Sequence, residues 1–152
     1  MMSSFHSLAC RYRFRLQCLR ELDQSFRILK PLALLLHARI IPGSQLENAL
    51  EDLGYRVVVS RIHTELIEKA KALGPMVGFV DLTIAADGSL LKTIKAFVAD
   101  DATSHVPLVA YCPKSEKRLR DYAGLAGAKL TVEEETLLKH LPEFLEQALR
   151  LD

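Results

Sequence analysis

The sequence predicts an α/β domain in which a parallel five-stranded sheet carries helices on both faces. Three observations predict it. Short apolar runs bounded by Gly or Pro recur along the chain. Amphipathic stretches with readable ends separate those runs. The runs are also apolar on successive residues, which suits strands buried on both faces. Strands alternating with helices in this way imply right-handed crossovers.

The first strand is "LALLLH" (32–37). Ser44 and Glu47 then form an S-x-x-E capping box, and Leu46, Ala49, Leu50 and Leu53 make one apolar stripe that Gly54 stops. The second strand, "YRVVVS" (55–60), leads to a helix with Leu66, Ile67, Ala70 and Leu73 inward, ending at Gly74. The third strand is "MVGFVD" (76–81). Asp87-Gly88 reads as a turn and helix start, and the third helix turns Leu90, Leu91, Ile94 and Phe97 inward. "VPLVAYC" (106–112) is the fourth strand; its helix uses Leu119, Tyr122, Ala123 and Ala126 before Gly127. A weaker strand, "AKLTV" (128–132), precedes the most regular stripe: Leu137, Leu138, Leu141, Phe144, Leu145, Ala148 and Leu149. Pro142 lies inside that pattern, so a kink or a broken first half is expected there.

At 152 residues the chain fits one domain with a real core, and 49% apolar and 26% charged residues are ordinary for a soluble protein. No apolar run reaches the roughly 18 residues of a membrane-spanning helix, and no signal peptide is expected. Cys10, Cys18 and Cys112 form no CxxC pair, so reduced thiols and a cytoplasmic location are expected. The net charge of +1 divides unevenly. Residues 1–30 carry six basic residues against Glu21 and Asp23, hence +4; the rest carries fourteen against seventeen, hence −3. A basic arm before a mildly acidic body is no general nucleic-acid footprint.

That arm, residues 1–27, is set apart as an N-terminal extension, with the domain proper over 28–152. Phe5, Leu8, Tyr12, Leu16, Leu19, Leu22 and Phe26 fall at helical spacing, yet Arg11 to Cys18 alternate as a strand would. A loosely ordered extension, a basic amphipathic helix for a partner or an anionic membrane, and an organelle transit peptide all fit it.

In open parallel sheets, ligand chemistry sits at the carboxyl ends of strands. The residues there are His37-Ala38, Asp81, Cys112 and the segment after Lys129. Alone, His37 reads as a polar strand end, Cys112 as a buried inert thiol, and Glu133-Glu134-Glu135 as acids favouring a helix N-terminus.

From about Ile28 to Leu151 the chain resembles the receiver domains of bacterial two-component response regulators. The stretch "FVDLTIAADGSLLKTIKAFVADDATSHVPLVAYC" carries most of the likeness: a strand ending in Asp, a loop, Asp-Gly opening an "LLKxI" helix, and a Pro-led apolar strand. "LEDLGYRVVVS" and "AGLAGAK" are similar to the family's links into the second and fifth strands. The resemblance implies a three-layer (βα)5 flavodoxin-like, CheY-like fold with strand order 2-1-3-4-5. It implies Asp81 as phosphoacceptor, held with magnesium by one or two acids after the first strand.

The sequence departs from that pattern around Asp81. The acidic positions hold His37 and Ala38, with Arg39 next, and an imidazole and a methyl do not replace hard oxygen ligands. Cys112 stands for the Thr or Ser that ends the fourth strand. The lysine after the fifth strand falls near Glu133 or Glu134, and the switch aromatic near Thr131. Thr83 belongs to the same degenerate pocket, and Lys114 is the remaining basic group that could partly substitute. Losing a charged stabiliser costs about 3–4 kcal/mol in such a transition state.

The leading expectation is a degenerate, phosphorylation-independent receiver-like domain that is not an enzyme and needs no cofactor. It acts as a protein-interaction module for a histidine kinase or regulator, with a homodimer through the fourth and fifth helices as one use of that face. No output domain is expected after Asp152, and its effect is expected to pass through another protein. Two other readings stay open: a single-domain response regulator phosphorylated on Asp81 by a histidine kinase with magnesium, and a flavodoxin-like small-ligand binder. The chain shows no glycine-rich phosphate loop, which counts against nucleotide binding.

Overall fold

The computed structural model describes residues 30–84 and 88–150. The readings of the N-terminal extension and of Asp87 therefore lie outside the described residues. Among those described, the order is β1 (Leu32–Leu36), α1 (Ile40–Asp52), β2 (Arg56–Ser60), α2 (Leu66–Leu73), β3 (Val77–Asp81), α3 (Ser89–Ala99), β4 (Leu108–Cys112), α4 (Lys117–Ala126), β5 (Leu130–Glu133), α5 (Glu134–Lys139) and α6 (Leu141–Leu149). Single 3-10 turns at His63–Glu65 and Leu82–Ile84 follow β2 and β3. The five strands are parallel, in the expected order β2-β1-β3-β4-β5.

β1, β3 and β4 are buried at every position, because both sheet faces are covered. One face packs Leu34, Leu36, Val80, Ala110 and Cys112 against residues of α2, α3 and α4. The other packs Ala33, Leu35, Phe79, Val109 and Tyr111 against residues of α1, α5 and α6. Alternation along each strand places Asp81 on the Phe79 side and Cys112 on the Ala110 side. The strand ends thus point two sets of groups into two different layers.

Helix stops follow the glycines. Gly54 (φ 93°) and Gly127 (φ 117°) each occupy a left-handed position that disfavours a side chain. After α1, Tyr55 N–H donates to Leu50 C=O and Gly54 N–H to Glu51 C=O; after α4, Ala128 and Gly127 bond Ala123 and Gly124 in the same way. These are Schellman closures. Gly88 (φ 85°) precedes α3 as the expected helix start.

Several details refine or correct the sequence reading. Ser44 does not cap α1: Ile41 is extended, helical dihedrals start at Pro42, and Ser44 lies within the helix. Proline is suited to the first helical position because it has no N–H to leave unpaired. The closing stripe breaks, as Pro142 led one to expect, into α5 and α6 at His140, with Pro142 in the first turn of α6. The five expected helices thereby become six. Leu53, Leu73 and Tyr122, assigned inward by spacing, are exposed. Leu53 caps the end of α1 and Leu73 is the last residue of α2, where the helices leave the sheet, and Tyr122 lies beside the buried Ala123.

Candidate functional site

The site lies at the carboxyl ends of β1, β3 and β5. Asp81 ends β3 and is 1% exposed, a burial that an ionised carboxylate tolerates only with donors around it. It has them. Thr83, in the 3-10 turn after β3, donates its backbone N–H (3.0 Å) and its hydroxyl (2.8 Å) to Oδ1. Arg39, in the β1–α1 connection, forks across the carboxylate with Nη2 3.0 Å from Oδ1 and Nε 2.9 Å from Oδ2. The same Nη2 donates to Glu134 Oε2 at 2.8 Å.

One guanidinium therefore joins β3 to the start of α5. The Asp81 hydrogen bond is the largest influence pushing the Arg39 guanidinium further into its charged form; burial opposes it and Glu134 adds to it. A bidentate arginine–carboxylate pair is among the stronger ionic contacts available to a protein.

The other predicted site residues fall around this centre in distinct ways. His37 is buried, and neither ring nitrogen has a hydrogen-bond partner among the described residues. Its ring lies against Gly43, where any added Cβ would collide with it. Ala38 is exposed. Cys112 is buried on the opposite sheet face, its thiol donating to Glu116 C=O at 3.3 Å, and burial pushes that thiol's pKa up. Lys114 is exposed, with its carbonyl accepting from Arg120. Glu134, the acid where the resemblance puts a lysine, is paired with Arg39.

Arg39 is the residue that sequence reasoning left outside the site. The available signal was a basic residue two positions beyond the His37-Ala38 pair that stands where the resemblance expects acids.

The fold family implies magnesium here, and the residues do not fit it. Asp81 Oδ1 accepts three bonds and Oδ2 accepts the guanidinium, so a metal would have to displace Arg39. Magnesium needs a near-octahedral set of oxygens. Among the described residues no three His, Cys, Asp or Glu side chains converge as ligands.

No family model and no curated protein matches the sequence. Solved structures do match the fold. A response regulator from Thermotoga maritima is 19% identical, over 80% of this chain and 98% of that one, with a TM-score of 0.67. The chemotaxis protein CheY4 of Vibrio cholerae is 17% identical, over 79% and 99%, at 0.68. The receiver domain of a sensor histidine kinase from Pseudomonas aeruginosa, with magnesium coordinated in its active-site cleft, is 18% identical, over 79% and 98%, at 0.69. The chain has the fold of response-regulator receiver domains, the CheY-like arrangement.

Proposed function

We propose that this protein is a degenerate receiver-like signalling domain working without phosphorylation, as a protein-interaction module in two-component-type signal transduction. The observation that carries the reading is the Arg39 fork on Asp81. Phosphoryl transfer needs a free carboxylate oxygen to attack and a mobile cation to screen the incoming anion. Here both oxygens are engaged, and the cation is a tethered side chain already shared with Glu134. The trio Asp81, Arg39 and Glu134 also carries one net negative charge, which opposes an incoming phosphoryl group.

The partner is a histidine kinase or another regulator in the cytoplasm. The surface offered to it is on α4, where Tyr122 is 48% and Leu125 83% exposed, with Lys117 and Arg118 also exposed on the same helix. The same face serves a homodimer.

Intact mass after incubation with acetyl phosphate and magnesium tests the reading. The expected result is no phosphoryl adduct. A stoichiometric adduct that disappears in Asp81→Asn would replace this reading with that of a phosphorylated single-domain response regulator.

A further inference from the structure

Arg39 has a counterpart across the sheet. Arg120, on α4, has a side chain only 14% exposed. Its Nη1 donates to Pro113 C=O at 3.0 Å and lies 3.6 Å from Cys112 Sγ, and both terminal nitrogens reach Lys114 C=O at 3.4 Å. Its Nη2 is also 3.9 Å from Glu133. One side chain thus folds the β4–α4 connection back onto α4 and touches the end of β5.

Glu133 and Glu134 are consecutive, the last residue of β5 and the first of α5. Glu133 stands opposite Cys112 in the β4–β5 register, on the side of α4. Glu134 turns the other way, to Arg39. The β5–α5 junction is therefore hydrogen-bonded to a guanidinium in one layer and lies within ion-pair distance of a second guanidinium in the other.

We propose that Arg39 and Arg120 are positioning residues that together hold the β5–α5 junction in one arrangement, with Arg120 also fixing the β4–α4 connection. The Arg39 half rests on the closed-site reading above; the Arg120 half stands independently of it. The device supplies a partner surface that is ordered before any partner or modification arrives, which lowers the ordering cost of binding.

Amide hydrogen exchange on the full chain tests this, since local opening reports the stability of each segment separately. In Arg120→Gln, amides of 114–116 exchange about tenfold faster, as expected for losing a charge-assisted hydrogen bond, and those of 132–136 about two- to fivefold faster, as expected for a partly exposed ion pair. In Arg39→Gln, amides of 132–136 speed up and those of 114–116 do not. Lys71→Gln, which removes an exposed pair with Asp100, leaves both segments unchanged. Wild-type exchange at 132–136 in either folded arginine variant, or equal loosening in Lys71→Gln, overturns the proposal. Should Arg120→Gln not fold, Glu133→Gln removes only the β5 end of the tie and is read at 132–136 by the same criterion. A phosphoryl adduct on Asp81 would sink the closed-site reading and the Arg39 half with it, while the Arg120→Gln pattern would stand, so the two failures are distinguishable.

Discussion

Arg39 and Asp81 face each other as a planar fork, two nitrogens against two oxygens at 2.9 and 3.0 Å, across 42 positions of sequence. Asp81 is almost fully buried and the Arg39 side chain is 34% exposed. The contact therefore has an inner end that cannot reach water and an outer end that can. The burial of Asp81 and the engagement of both its oxygens are tied to the same interaction, so both respond to the same substitutions.

Arg39→Ala leaves Asp81 buried, with Thr83 as its remaining donor. Removing one partner of a fully buried pair costs roughly 3–5 kcal/mol. Solvent screening at the exposed guanidinium brings the expected loss to about 2 kcal/mol. Arg39→Lys restores charge without the two-pronged geometry and loses about 1 kcal/mol. Urea unfolding measures both. An Arg39→Ala protein as stable as wild type would show that the fork holds nothing in place.

Thr83→Val removes the hydroxyl that donates to Asp81 Oδ1 at 2.8 Å and keeps the backbone N–H bond. Hydrogen bonds to charged groups are worth about 1.5–3 kcal/mol, and the remaining donors offset part of the loss. The expected cost is about 1 kcal/mol. Combined with Arg39→Ala, the loss exceeds the sum of the single losses, because each variant leaves the other donor as the main support of one buried carboxylate. Strict additivity in urea unfolding would contradict this shared role.

The fold was legible because its signals are local and repeated. Apolar runs marked the strands, and Gly54, Gly74 and Gly127 marked helix ends by their backbone freedom alone. The start of α1 was misread because Ser44 and Glu47 satisfy a capping pattern that Pro42 overrides one turn earlier. Within the site, the sequence singled out His37, Ala38, Cys112 and Glu134 one residue at a time. What could not be seen was Arg39 joining Asp81 to Glu134. That contact spans 95 positions from Arg39 to Glu134, and no spacing rule relates a loop residue after β1 to the first turn of α5.

Gly43 offers a test of packing around His37. Alanine in a helix is ordinarily favoured over glycine by about 0.5–1 kcal/mol. Here the added methyl meets the His37 imidazole, so Gly43→Ala destabilises by about 1–3 kcal/mol despite the gain in propensity. His37→Ala removes the obstacle, and in that background Gly43→Ala becomes neutral or stabilising. Thermal unfolding of the four proteins gives the coupling. A Gly43→Ala penalty that persists without His37 would assign it to another neighbour.

Tyr111 sets the alkaline limit of the fold. It is fully buried, and its hydroxyl has no hydrogen-bond partner among the described residues. Burial is the main cause that drives its ionisation well above the ordinary tyrosine value of 10, with Asp81 and Glu134 adding to the shift and Arg39 opposing it. The folded protein therefore keeps this proton where the unfolded chain gives it up. The unfolded state then binds fewer protons, so stability is intact below about pH 10 and falls as pH rises further, by up to about 1.4 kcal/mol per pH unit. Tyr111→Phe removes that loss and an unsatisfied buried hydroxyl together. It raises stability at neutral pH by about 1 kcal/mol and flattens the decline above pH 10, leaving the contribution of Tyr55, which burial pushes the same way. Urea unfolding as a function of pH, followed with tyrosinate absorbance, measures both effects. A decline equally steep in Tyr111→Phe would place the alkaline limit elsewhere in the chain.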